Sequence, residues 1–258
     1  MNERDEFYIG WEDKAPRSYG RSARRAVVII LVLAVFAGLG FAASQRLIGV
    51  AFFEWGEVRD FSGILRVDPY PHLVLRVEAT NAPARVIAAP LVAPFKFGLR
   101  RDALAALDGK PVKLRATRIH RDDQLMLEAE PGSIRALESS PGESGKLDSP
   151  RISPGHQTFR GEIVDSKCWM GVMNPGVLTP HRACAVRCIS GGIPPMLLVR
   201  RENAPPLNLL LVSADGKPVN EQVIEFVAEP IEITGEVVRE GELLTLRADP
   251  ASYRRIPR

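Results

Sequence analysis

The sequence has little of what would indicate a specific chemistry. It contains only three cysteines in 258 residues, which excludes a disulfide-dense scaffold and leaves at least one thiol outside any internal bridge. Aromatic residues make up 7%, and 34 basic residues nearly balance 31 acidic ones. We therefore expect no nucleic-acid partner, because such proteins concentrate basic surface and stacking rings. No phosphate loop, dinucleotide fingerprint or nucleophile–base motif stands in the sequence, which argues against a hydrolase or a transferase.

A long apolar run lies near the N-terminus. Ala26 to Ala43 is an uncharged run of 18 residues, and as a helix it would span about 27 Å, close to the thickness of a bilayer core. Basic residues precede the run and acidic residues follow it, a distribution that keeps the N-terminus inside. We predict a cytoplasmic tail over 1–25, a single-span transmembrane anchor over 26–44 and a periplasmic remainder, in a bacterial inner membrane. A cleaved signal peptide is the alternative, with a small-residue site near Phe41-Ala42-Ala43, although the run is longer than the usual signal core.

The tail contains an aromatic segment, Phe7-Tyr8-Ile9-Gly10-Trp11. Three aromatic residues in five are unusual for a solvated tail, so one hypothesis is a docking peptide for a membrane protein complex. The alternative is a disordered cytoplasmic tail. Either way, these residues are too few to fold alone.

The chain after the anchor contains two copies of one unit. An offset of 119 positions aligns 103–137 with 222–256 without a gap. Pro111, Leu125 and Ala129 then match Pro230, Leu244 and Ala248, and Val112 and Leu114 match Ile231 and Ile233. The preserved alternation indicates that both copies bury the same strand face.

Each copy is predicted to contain five short strands with one short helix before the fourth. This order predicts a mainly β protein with two tandem OB-like β-barrel units, over 56–137 and 159–258, with a generic β-sandwich as the alternative. The Ser/Pro/Gly-rich segment 138–158 is predicted to be a linker. The helices are expected at Asp102–Leu107 and Glu221–Val227, the second with Asn220 as its N-cap.

The second copy differs by an insertion over 165–193, between its first and second strands, that contains all three cysteines. Thr179-Pro180 predicts the start of a helix, with Thr179 as N-cap, and Gly191-Gly192 predicts its end. Such a helix places three side chains on one face: His181, Cys184 and Cys188. Cys168 lies on the chain before the helix, where it can fold back onto that face.

Three interpretations of these residues remain open. The first is a disulfide from Cys168 to Cys184 or Cys188, which an oxidising compartment favours. The second is a metal site for zinc or copper formed by Cys168, His181, Cys184 and Cys188, because thiolates and imidazole bind Zn²⁺ and soft ligands bind Cu⁺. The third is thiol redox chemistry through Cys184 and Cys188, since Cys184 lies near a helix N-terminus among arginines.

Three further residues are candidate supports of this site. Asp165 is predicted either to accept a hydrogen bond from His181 or to cap the turn after its strand. Met170 and Met173 place two thioethers near the cysteines.

The insertion also carries a resemblance. Its segments Gly161-Glu162-Ile163-Val164-Asp165-Ser166-Lys167-Cys168, His181-x-x-Cys184-Ala185-x-x-Cys188 and Gly191-Gly192-Ile193-Pro194-Pro195 resemble a family of small exported bacterial proteins. The resemblance covers about residues 158–248, and the family has no settled biochemical activity. It implies that Cys168, His181, Cys184 and Cys188 form one constellation, without indicating whether they hold a metal or a disulfide.

Together these features predict a membrane-anchored accessory or binding protein rather than an enzyme. A subunit of a membrane redox complex, contacting its partners through the aromatic tail or the OB-like units, is the form that the anchor and the soft ligands favour. The alternative is a thiol-redox or metal-handling enzyme acting through Cys184 and Cys188.

Overall fold

A computed structural model describes residues 17–45, 51–79, 82–137 and 151–257 of the chain. These residues form two compact bodies, one helix before residue 50 and a β-rich body after it. The aromatic tail segment and residues 138–150 of the expected linker lie outside the described residues.

The first body is the helix α1, Arg17–Gln45. Its stretch Tyr19–Ser44, 26 residues, is long and apolar enough to cross a membrane, a property that anchors and signal sequences share. The helix starts upstream of the predicted span 26–44, because the arginine-rich segment before the apolar run also favours helix.

The first barrel follows. Its elements are β1 Ala51–Arg66, β2 His72–Ala79, β3 Ala82–Val92, α2 Arg101–Leu104, β4 Pro111–Arg121, β5 Gln124–Ala129 and β6 Arg135–Ala136. The strands are ordered β1-β2-β3-β5-β4, and β4 pairs with β1 to close the barrel. Strands β3 and β5 run parallel, and the short helix α2 lies between β3 and β4.

The second barrel repeats this plan. Its strands are β7 Arg151–Asp165, β8 Pro195–Arg201, β9 Ala204–Val212, β10 Pro230–Glu240, β11 Leu243–Arg247 and β12 Arg254–Arg255. The order is β7-β8-β9-β11-β10, closed by β10 on β7, with β9 parallel to β11. The predicted fold class, mainly β with two tandem OB-like barrels, is confirmed, because both units share the five-stranded closed topology of that fold.

The offset seen in the sequence reappears in the structure. Strands β4 and β10 begin and end at positions that are 119 residues apart, and so do β6 and β12. Val112 and Ile231 have no exposed surface, and Leu114 and Ile233 are equally enclosed. Alternate side chains of each fourth strand therefore form the same part of each core.

Two local predictions are wrong. The segment Glu221–Val227 is a series of turns with one 3₁₀ turn, Ile224–Phe226, instead of a helix. Asn220 does not cap it, because its Nδ2 donates to Ile189 O at 2.8 Å and to Ile193 O at 2.9 Å. A tertiary contact has replaced the expected local one.

The boundaries also differ from those predicted. Residues 151–158 belong to β7 and pair with β10, whereas the composition predicted a linker there. The first barrel likewise begins at Ala51, before the expected residue 56. Both opening strands are long because the fourth strand of each barrel offers a partner along its whole length.

The insertion joins β7 to β8. It consists of a tight turn of π-helical type, Cys168–Val172, and the helix α3, Leu178–Ser190. The predicted cap at Thr179 is wrong, since the helix starts at Leu178 with Val177 as N-cap residue and no side-chain cap bond at that position. The carboxylate of Glu162 instead accepts a hydrogen bond from Leu178 N at 3.1 Å, which satisfies one of the free amides of the first turn.

The two barrels are interlocked within one body. Tyr70, in the β1–β2 turn of the first barrel, packs into the second barrel, where its hydroxyl donates to Leu211 O and accepts from Val219 N, both at 3.2 Å. Asn208 of β9 bridges Trp169 of the insertion and Gln124 of β5. Buried polar links of this kind define one arrangement of the barrels.

Candidate functional site

Three thiols converge between the insertion and the first barrel. The Sγ atoms of Cys168, Cys184 and Cys188 all lie within 4.8 Å of one another, and we call these residues the thiol trio. Cys168 and Cys188 are buried, whereas Cys184 is partly exposed, and all three carry free thiols in this structure. The two helical cysteines lie one turn apart on α3, and the π-type turn brings Cys168 to the same face.

His181 lies beside the trio without joining it. Its Nε2 donates to Asp165 Oδ2 at 3.0 Å, and Asp165 Oδ1 accepts a hydrogen bond from Cys168 N at 2.8 Å. Among the described residues, His181 belongs to a second group of ligand atoms within 4.8 Å, with Asp165 and Cys168. Asp165 thus makes both of the contacts that the sequence left as alternatives, and it ties the start of the insertion to α3.

The protonation of the buried thiols is uneven. A hydrogen bond to Cys188, together with burial and the nearby carboxylate of Asp165, raises the pKa of Cys168. The same hydrogen bond, received from Cys168, lowers the pKa of Cys188, with a further contribution from the ammonium of Lys96. Within this pair Cys188 is therefore the more acidic thiol.

The first barrel contributes a cation to the trio. Lys96 lies in the loop between β3 and α2, and its Nζ is 2.8 Å from Cys184 Sγ and 3.9 Å from Cys188 Sγ. The hydrogen bond to Cys184 raises the pKa of Lys96, so this side chain stays charged. A fixed ammonium beside three sulfurs stabilises negative charge on them.

A buried ion pair holds the Lys96 loop in place. Lys167 donates from Nζ to Ala93 O at 2.9 Å and to Phe95 O at 2.7 Å, and it also pairs with Glu128 of β5. Only 3% of the Lys167 side chain is exposed, so its charge depends on these three partners.

The end of α3 meets the same loop through glycines. Gly98 N donates to Gly191 O at 3.0 Å, and a Cβ on Gly98 would lie 2.0 Å from Gly192 O. Only residues without a side chain allow the two backbones to come this close. The helix that carries Cys184 and Cys188 is therefore fitted against the loop that carries Lys96.

The thiol trio lies at the floor of an open cleft of about 510 Å³. Aromatic side chains of the first barrel form its walls: Phe53, Trp55, Phe95 and Phe97. Phe53 and Trp55 meet edge to face, with ring centroids 5.4 Å apart. Lys96 and Arg187 also line the cleft, through which a ligand can approach the partly exposed Cys184.

The structure separates the residues singled out in the sequence. It places Cys168, Cys184 and Cys188 together and puts His181 with Asp165 at their edge. Met170 is buried in a cluster with Cys168 and Cys188, whereas Met173 is 44% exposed on the cleft. Met170 is therefore part of the core beside the trio, whereas Met173 lines the cleft.

Three residues at this site were not predicted from the sequence: Lys96, Glu128 and Lys167. The first two lie in the copy without cysteines, and nothing near them in sequence connects them with the insertion. One signal was available, since Phe95-Lys96-Phe97 between Pro94 and Gly98 places two aromatic residues in a turn-rich segment. Exposed aromatic residues in a loop are unusual enough to suggest a binding surface.

Comparisons with known proteins add no family. No family model matches the chain, and no curated protein matches it. Among solved structures, a deletion mutant of the single-stranded DNA binding protein from Thermus aquaticus is similar at a TM-score of 0.21 and 10% identity, covering 81% of this chain and 89% of that one. A likeness of that size carries no argument, and the OB-like assignment rests on the strand order described above.

Proposed function

We propose that this chain is a membrane-anchored metal-binding protein and that the thiol trio binds one thiophilic metal ion. The observation that carries the proposal is the convergence of three sulfur atoms within 4.8 Å. Zinc–thiolate bonds of about 2.3 Å in a tetrahedral site separate the sulfurs by about 3.8 Å, so small side-chain adjustments bring the trio onto one ion. The metal is zinc or copper, because three thiolates suit Zn²⁺ as well as Cu⁺.

The surroundings support charge on the sulfurs. Three thiolates leave a net charge of minus one around Zn²⁺ and minus two around Cu⁺, and Lys96 lies within hydrogen-bond distance of Cys184 to offset part of it. Cys188 already has a lowered pKa in this setting. Metal binding releases the remaining thiol protons, which makes the affinity depend on pH.

His181 supports the site from outside the trio. The His181 ring donates a hydrogen bond to the carboxylate of Asp165, which also accepts a hydrogen bond from Cys168 N. The ring therefore holds in place the turn that positions Cys168. This assignment differs from a four-ligand site of three cysteines and a histidine. Three protein ligands without a fourth would leave a tetrahedral ion open to an exchangeable ligand, as in catalytic zinc sites.

The location and the partners form part of the same proposal. We place the β body on the periplasmic side of a bacterial inner membrane, with α1 as the anchor, because basic residues precede the apolar run and acidic residues follow it. An accessory subunit of a membrane redox complex, within the family of exported proteins that the insertion resembles, is consistent with an anchor combined with a soft metal site.

A second candidate function is thiol redox chemistry. It is favoured by the 2.8 Å contact between Lys96 Nζ and Cys184 Sγ at the open side of the trio. In that case the Cys184 thiolate attacks a substrate disulfide and releases one substrate thiolate. Cys168 or Cys188 then attacks the Cys184 sulfur and releases the second substrate thiolate, so the substrate is reduced and this chain is left with an internal disulfide. A disulfide from Cys168 to Cys184 or Cys188 that only stabilises the fold, without redox turnover, is the remaining alternative.

One experiment separates these functions. The full chain is purified from the envelope in detergent without reductant, its bound metal is measured, and a second sample is denatured with chelator and alkylated for intact mass. We expect one metal ion per chain and three alkylated cysteines. One alkylated cysteine without metal would favour the disulfide functions and overturn the metal proposal.

Matched variants assign the ligands. Replacing any member of the trio by serine should lower the metal content by at least tenfold, whereas His181→Gln should retain about one ion per chain. If a serine variant does not fold, the thiolate charge-transfer absorbance of the wild-type chain with Co²⁺ provides an independent count of sulfur ligands. Loss of the metal in His181→Gln, with the fold retained, would instead support the four-ligand site.

A further inference from the structure

The cleft above the thiol trio combines apolar walls with two cations, Lys96 and Arg187, that have no carboxylate partner among the described residues. Trp55 is 77% exposed and Phe95 81% exposed, and both face the same opening. Large rings at this exposure cost solvation free energy that a bound ligand would recover. Because both rings line one cleft, they indicate a binding surface rather than scattered surface residues.

The charges of the cleft are not neutralised by its own acids. Glu128 is the one carboxylate among the described residues that line it, and Lys167 already pairs with that group. Lys96 contacts the sulfur of Cys184, and Arg187 makes no ion pair with any acidic residue in the described part of the chain. Two cations thus stand among aromatic rings without a carboxylate partner of their own.

We propose that this cleft binds a small amphipathic anion, a molecule with an apolar or aromatic body and one negatively charged end. The body would pack against Phe95 and Trp55, and the charged end would lie between Arg187 and Lys96, above Cys184. The volume of about 510 Å³ falls within the range of small-molecule sites, which are lined by apolar residues with a few polar groups that set orientation. Arginine suits a carboxylate end because its guanidinium donates two parallel hydrogen bonds.

The test uses protection of Cys184 as its readout. The full chain in detergent, with chelator and a phosphine reductant, is treated with the neutral reagent iodoacetamide, and the modification rate of Cys184 is followed by peptide mass spectrometry. 2-Naphthoate is the anionic probe, and 2-naphthamide, with the same ring system, is the neutral control. We expect naphthoate to slow the reaction saturably by at least fivefold and naphthamide to slow it by less than twofold.

Variants connect the protection to the cleft. Arg187→Met should weaken naphthoate protection about tenfold, each rate being compared with that of the same variant without probe, while Arg254→Met on the exposed strand β12 should leave it unchanged. Phe95→Ala should weaken protection as well, since it removes an aromatic wall. Equal protection by the two probes, no protection, or protection insensitive to Arg187→Met would overturn the proposal. Because the metal is removed throughout, this result is independent of the metal proposal.

Discussion

The two barrels share one strand order but differ in the connection between their first and second strands. In the first barrel, five residues without regular structure join β1 to β2, whereas in the second the insertion occupies the same connection. The core positions of the fourth strands match at an offset of 119, and each opening strand has a glycine, Gly63 or Gly161, packed against the next strand. The scaffold was thus kept while one loop changed.

Both barrels contribute residues to the site, although only the second carries the insertion. Cys168, Cys184 and Cys188 come from the insertion, but Lys96, Glu128 and the aromatic walls come from the first barrel. The insertion is held between the two copies, with Arg121 of β4 donating to Trp169 O at 2.7 Å. The first copy therefore provides the second surface of the open cleft that the insertion lines.

The largest effect is expected from matched core truncations. Leu114→Ala and Ile233→Ala remove equivalent, fully buried side chains, and each should lower the free energy of unfolding by about 2–5 kcal/mol. Because the barrels interlock, both variants should shift a single denaturant transition of the full chain, monitored by circular dichroism. Two separate transitions, each sensitive to one variant, would show that the barrels unfold independently.

The next effect concerns the ion pair between the barrels. Lys167→Met should destabilise the chain by about 3 kcal/mol, because it leaves the carboxylate of Glu128 and two carbonyls of the Lys96 loop without a donor. Lys113→Met is the control, since its pair with Asp60 is half exposed and should contribute less than about 1 kcal/mol. Urea midpoints of the two variants test this order, and equal midpoints would contradict the role of Lys167.

The smallest effect compares two buried tyrosines. Tyr70→Phe leaves Val219 N without its acceptor and should cost about 1–3 kcal/mol. Tyr253→Phe should cost nothing measurable, because its buried hydroxyl has no hydrogen-bond partner among the described residues. Thermal midpoints of the two variants provide the comparison. If the two variants lost the same stability, the hydrogen bond of the Tyr70 hydroxyl between the barrels would not be the cause of the loss.

Much of the fold could be predicted from local patterns. The alternation around Val112 and Leu114 defines strands with one buried face, and its repetition at Ile231 and Ile233 indicates a second copy. The predictions failed where a distant partner replaced a local one. Asn220 bonds the end of α3 instead of capping a helix, and residues 151–158 pair with β10 despite a linker-like composition.

The sequence by itself determined the apolar helix, the two barrels, the insertion and the placement of Cys184 and Cys188 on one helix face, because each depends on periodicity and turn residues within a short segment. Only the tertiary structure decided that His181 turns to Asp165 and that Lys96 meets Cys184 across 88 positions of sequence. The reason is physical: the close contact of the Lys96 loop with the end of α3 depends on the packing of two barrels, and no local signal encodes that packing.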